Sequence, residues 1–296
     1  FANKDIYEFN DLVLRGGTQE QNYSMIRDEF ISLMTVNYTD VAAQSARPAA
    51  FYVNGEYYGL FFIREKINNN FILNNYNVLG TTDIINSAHN RVENGTGDNY
   101  FTLRNFAANN DLSIDKNYEY VSEILDIDNY IDYYILQYII CNHDWHNVRM
   151  FSNSNIDNGK FKMILYDSDF GLKTNGGTYY FTFIQYPFIV WELQPNVILS
   201  GLFKNNNFKK RFVERMSYFM KNVWTVEHIN ETYDYLYNSI YKEMERESKR
   251  WGRSYENWKN QVAKVKTIAL QRVESVPKYT RDYFNLNTEE YNEYFG

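Results

Sequence analysis

Two short segments carry most of the oxygen chemistry in this chain: Asn142-His143-Asp144-Trp145-His146-Asn147, and Tyr166-Asp167-Ser168-Asp169-Phe170-Gly171. An Asp with a nearby Asn, followed by a second acidic pair, supplies a base and hard oxygen ligands. Metal-assisted phosphoryl transfer requires that combination. In a strand, side chains two apart share a face, so Asp167 and Asp169 are expected to point together while Ser168 points away. Phe170-Gly171 then allows a sharp departure of the backbone, which sets the carboxylates at a strand end. An isolated Asp-x-Asp is more often an ordinary acidic turn. Asp144 and Asn147 make the phosphotransferase reading the better one.

Elements must bring the two segments together. Strands over Arg149 to Asn153 and Phe161 to Tyr166, joined by a polar turn through Asp157-Asn158-Gly159, are expected to form a hairpin with both acidic clusters at one end. Upstream, a helix starting at Asp128 as its cap repeats Ile131, Tyr134, Ile135 and Tyr138 at helical spacing and delivers Asp144. The organisation changes near residues 110 to 118. Before it, Leu12 to Leu14 reads as a strand, and Ile26, Phe30, Leu33 and Met34 as a helical stripe. Ala49 to Val53 and Tyr57 to Ile63 flank Asn54-Gly55, a pair suited to a type I′ hairpin turn. Asn68 to Tyr76 reads as a short helix and Ser87 to Asp98 as a polar loop. After the change, helices around Phe208 to Trp224, Val226 to Arg250 and Tyr255 to Tyr283 dominate. The charged run Lys242 to Arg253 reads as a solvated face.

Composition narrows the function. The 296 residues carry a formal charge of −7, which gives no phosphate-seeking field for nucleic acid or an anionic membrane. No run of about twenty apolar residues is present, and the first residues lack a signal-peptide pattern. The single Cys141, at the end of an apolar helix, reads as a buried, inert thiol. The 28 Tyr and 21 Phe accompany abundant Asn, and AT-rich codon bias is a better explanation of them than a glycan-binding face. No Gly-rich P-loop is present. His143 and His146 raise zinc as a rival, but no third ligand stands near them in the sequence, and neither His89 nor His228 shows a clear relationship to the pair.

Several further motifs resemble the spore-coat CotH family. These are Leu14-Arg15-Gly16-Gly17, Ile26-Arg27-Asp28, Asn54-Gly55-Glu56-Tyr57-Tyr58-Gly59-Leu60 and Arg64-Glu65-Lys66-Ile67, in order ahead of the two acidic segments. The resemblance runs from about residue 12 to 172 and more loosely through the helices to about 280. It implies an α+β, two-lobed atypical protein-kinase-like fold, with a mixed lobe over residues 1–112 and a mainly helical lobe over 113–296. It also implies ATP and Mg2+ as cofactors and transfer of phosphate to Ser or Thr of a secreted, spore-coat or cellulosomal protein. By motif, Asp144 resembles the catalytic-loop Asp, Asn147 a metal-side ligand, and Asp167 with Asp169 the magnesium-binding pair. Arg27, Glu65 and Lys66 are similar to positions near the nucleotide, though ion pairs that hold the lobe together are an equal reading.

Two departures stand out: the segment opens just ahead of Leu-Arg-Gly-Gly where the family usually carries further strands, and Tyr166 stands where it usually has Trp. Two alternatives stay open. One is a metal-dependent phosphatase with Asp167 as nucleophile, whose acidic pair should follow a first strand. The other is a silent module that binds a coat, cell-wall or cellulosomal partner.

Overall fold

The computed structural model describes residues 1, 3–17, 20–142, 144–173 and 196–296. The chain begins with strand β1 (Leu12–Arg15), helix α1 (Arg27–Thr35), the short strand β2 (Ala42–Ala43) and the hairpin β3 (Ala46–Val53) and β4 (Glu56–Glu65). Asn54 and Gly55 turn that hairpin with φ of 52° and 83°, the left-handed pair that a type I′ turn demands. β1 and β3 flank β4 in a three-stranded antiparallel sheet. Helix α1 buries Ile26, Phe30, Ile31 and Met34 completely, following the apolar stripe in its sequence. Phe30 meets the buried Trp224 edge to face, with centroids 6.2 Å apart, which joins the first helix to the C-terminal core.

Next come α2 (Asn69–Tyr76), β5 (Thr82–Asn86), β6 (Arg91–Asn94), α3 (Asp98–Asn109), α4 (Asp115–Ile124) and α5 (Ile127–Ile140). Two expectations change here. The stretch from Ser87 to Asp98 is not all loop, because Arg91–Asn94 pairs antiparallel with β5. Its four residues, Arg-Val-Glu-Asn, hold a single apolar side chain, too little to show as a strand in sequence. The helix carrying the tyrosines is capped by Asp126, whose carboxylate accepts the Asn129 N–H at 3.1 Å, while Asp128 pairs with Arg211 at 2.5 Å. In α5 every residue except Asp128 is buried, so it is a core helix and not an amphipathic one.

The hairpin β7 (Arg149–Asn153) and β8 (Lys162–Leu165) completes a second sheet in the order β2-β8-β7-β5-β6. Strands from both sides of residue 112 therefore share one sheet. The remaining helices are α6 (Val197–Leu202), α7 (Asn206–Tyr218) running into a π turn at Phe219–Val223, α8 (Val226–Arg250), α9 (Tyr255–Phe284) and α10 (Thr288–Phe295). The result is an α+β, two-lobed kinase-like fold.

The charged run in α8 is mostly solvated, with one consequential exception. Glu247 is buried, accepts the Leu60 N–H at 2.8 Å and the Tyr57 hydroxyl at 3.0 Å, and so fastens the first sheet to the helical lobe. Cys141 is buried as expected, its thiol pushed up by burial while Arg272 pulls the other way.

Candidate functional site

The last turn of α5 aims the first acidic segment. Cys141 takes the left-handed conformation at the helix end, with φ of 50°, and its N–H returns to the carbonyls of Gln137 and Tyr138. Asn142 is buried, donates to Gln137 Oε1 at 2.9 Å, and accepts the Asp144 N–H at 3.0 Å. The backbone of Asp144 is thus fixed by the helix terminus. Its carboxylate accepts the His146 N–H at 3.2 Å through Oδ1 and the Asn147 amide at 3.1 Å through Oδ2.

The same Asn147 nitrogen reaches Asp167 Oδ2 at 3.1 Å. One amide therefore ties the two acidic segments together, and its carbonyl oxygen is the atom that can face a cation. Asp167 and Asp169 do converge, but not by strand alternation. β8 stops at Leu165, and Asp167 sits in the left-handed region with φ of 55°. Such a conformation in a non-glycine residue persists where surrounding contacts over-determine it. Here they are the bond from Asn147, a 2.5 Å bond from Arg15, and the anchoring of the next residue, whose Ser168 N–H donates to Asp28 at 2.8 Å.

Arg15, at the end of β1, was not among the sequence-level site residues and is the largest addition. It contacts Asp167 at 2.5 Å and Asp169 at 3.3 Å, and lies 4.0 Å from Asp28. Its motif, Leu-Arg-Gly-Gly, was visible, but nothing local showed that β1 would face a segment 152 residues away. A support layer lies behind it. Arg64 donates to Asp28 at 2.5 Å and also to Glu29. Burial pushes Asp28 up, but Arg64 and Arg15 outweigh it and hold the carboxyl below its usual range. Asp169 goes the other way: burial, then repulsion from Asp167 and Asp28, push it up to about 6.

Arg27 donates to Glu20 and, at 3.1 Å, to the backbone carbonyl of Asp169. It positions the acidic pair from behind. Glu65 is taken up by Lys4 at 2.5 Å, the Ser45 N–H at 2.7 Å and Asn75 at 2.8 Å, while Lys66 lies exposed near Asp11. Neither contacts the acidic cluster. Lys173 lies just beyond Phe170-Gly171, its ammonium 3.5 Å from the Phe170 ring centre, with Asp169 and Asp144 in its field. Gly171 packs against the end of α5, where a Cβ would stand 2.9 Å from Ile140.

The CotH kinase protein family model matches residues 1–276. The chain belongs to the CotH kinase family. No curated protein matches the chain. Family membership supports a kinase-like role, and with it ATP and a divalent metal as its partners in chemistry. The geometry of this CotH-family chain fits a divalent cation on its donor set: two carboxylates and an amide oxygen, all hard ligands, with the Arg15 guanidinium standing between Asp167 and Asp169 as a cation would.

Among the described residues, three carboxylates also gather at Asp40, Asp126 and Asp157. There the buried ammonium of Lys162 is the counter-ion, 2.7 Å from Asp126 and 2.5 Å from Asp157. Of the zinc alternative, His143 lies outside the described residues, and His146 stacks on His89 with centroids 5.3 Å apart. That contact was not foreseen, since 57 residues separate the two in sequence.

Proposed function

We propose that this CotH kinase transfers the γ-phosphoryl group of ATP to Ser or Thr of a polypeptide, with a secreted, spore-coat or cellulosomal protein as the acceptor. The observation that carries the reaction is the Asn147 amide bonded at 3.1 Å to both Asp144 and Asp167, which sets a base beside a metal-ligating carboxylate. Family membership supports a polypeptide acceptor in general.

Asp144 orients the acceptor hydroxyl and takes its proton as the new oxygen–phosphorus bond forms and the bond to the β-phosphate oxygen breaks, with ADP leaving. Asn147, Asp167 and Asp169 are the residues that would hold magnesium. When bound, magnesium neutralises charge on the phosphate oxygens. Arg15 and Lys173 supply the cations for phosphate, in place of the Lys66 suggested by motif. A guanidinium offers paired donors matched to phosphate oxygens. Asp28 and Arg64 keep Arg15 and the Ser168 backbone in register, and Arg27 does the same for the Asp169 carbonyl.

Calorimetric titration with ATP, with and without magnesium, tests the site. Binding that needs magnesium and disappears in the Asp167→Asn, Asp169→Asn double variant is the expected result. Asp144→Asn should retain that binding and abolish transfer, read as phosphoserine or phosphothreonine by mass spectrometry. Loss of both in Asp144→Asn, or of neither, rejects these roles. Phosphate release from simple monoesters without ATP would favour the phosphatase instead.

A further inference from the structure

A cavity of about 340 Å³ opens beside the catalytic loop, between the β5–β6 turn, α3, α5 and the start of α6. That volume lies within the range of ordinary ligand sites. Its floor is aromatic and aliphatic, formed in part by Tyr100, Tyr130 and Tyr134. Its polar groups include Arg104, His89 and His146, and among the described residues no carboxylate lines it. This bias is notable in a chain with 37 acidic and 30 basic residues. Three arginines around the acidic cluster, Arg15, Arg27 and Arg64, each pair with carboxylates. Arg104 is half-buried on α3 and makes no ion pair among the described residues. A partly desolvated guanidinium paired by no described residue favours an anionic occupant.

The wall nearest the chemistry is His146. It adjoins Asn147, and its N–H donates to Asp144. Neighbouring residues of one 3-10 turn thus face different tasks: Asn147 joins Asp144 to Asp167, and His146 stacks on His89 at the cavity. An acceptor hydroxyl placed at Asp144 brings the rest of its polypeptide within reach of this cavity. We infer that the cavity is an acceptor subsite for an anionic side chain flanking the phosphorylated Ser or Thr, with Arg104 as the charge partner and His89 as a second donor. The shared chemistry is a carboxylate or a phosphate from an earlier round of transfer. This inference rests on the kinase reading for its acceptor, but binding to the cavity is measured without transfer.

The experiment uses the full chain without nucleotide and fluorescein-labelled degenerate peptides centred on one Ser, flanked by Glu, phosphoserine, Lys or Ala. Anisotropy should show the Glu or phosphoserine set binding about tenfold more tightly than the Ala and Lys sets. A Glu preference names a carboxylate, and a phosphoserine preference names a primed acceptor. Arg104→Gln, checked for folding by circular dichroism, should bring all sets to one level while ATP affinity stays unchanged. His89→Ala, on the exposed turn, should lose several-fold and serves if Arg104→Gln does not fold. Equal binding of the Ala, Glu and phosphoserine sets, or a preference retained in a folded variant, overturns the subsite. An absence of ATP binding alongside a clear anionic preference would instead sink the kinase reading and leave the subsite standing.

Discussion

Asp169 shows how a single carboxyl can be unfavourable for the fold and useful to the site. Burial and the neighbouring charges of Asp167 and Asp28 raise it from an ordinary 3.8 to about 6, and the 3.3 Å contact with Arg15 recovers only part of that. A group whose folded value is raised stabilises the fold fully below its ordinary value and loses that contribution as pH rises through the folded one. Asp169→Asn, neutral at every pH, should therefore gain on the wild type between about pH 4 and pH 7. After discounting for solvent and the weakened Arg15 contact, the relative gain is about 1–2 kcal/mol. Thermal unfolding across that range, in chelator, measures it. A difference in melting temperature that does not change with pH would show that Arg15 keeps Asp169 ionised throughout.

At the scale of elements, what could be read from the sequence depended on how local the determining forces were. The β3–β4 hairpin was legible because Asn54-Gly55 carries its own backbone preference. The α1 stripe and the core face of α5 were legible because spacing fixes which residues share a face, whereas Asp167 and Asp169 meet through a left-handed turn that strand alternation did not foresee. Arg15, Asp28 and Arg64 were not, because their partners lie far along the chain and only packing selects among several arginines. Glu247 failed for a related reason. Within a charged run nothing marks the one carboxylate that turns inward, yet it accepts from Leu60 and Tyr57 and lies 3.7 Å from Arg253. Glu247→Ala leaves the buried Leu60 N–H without its acceptor and should cost about 1–3 kcal/mol. Glu247→Gln, able to accept the same bonds, should cost less. Chemical denaturation of the two variants gives both values, and equal losses would assign the effect to charge and not to the hydrogen bonds.

The whole molecule is less divisible than its sequence suggests. Composition changes near residue 112, and the first sheet with α1 lies entirely before that point. The second sheet does not respect it: β5 pairs with β7 over five residue pairs, and β2 runs parallel to β8. A continuous apolar core joins Ile26, Phe30 and Leu60 to Tyr134, Met163 and Trp224. Each half alone would expose sheet edges and the apolar faces that the other covers, a penalty that small domains rarely survive. Fragments 1–112 and 113–296, expressed separately, are expected to show no cooperative thermal transition, whereas the full chain should unfold in a single one. Mixing the refolded fragments should restore the transition if the shared sheet is the main determinant. A cooperative transition from either fragment alone would mean that the lobes fold independently. The acidic site would then be assembled by docking of finished lobes. Since Arg15 and Arg27 come from the first half and Asp144 and Asp167 from the second, magnesium-dependent ATP binding should return only with the restored transition.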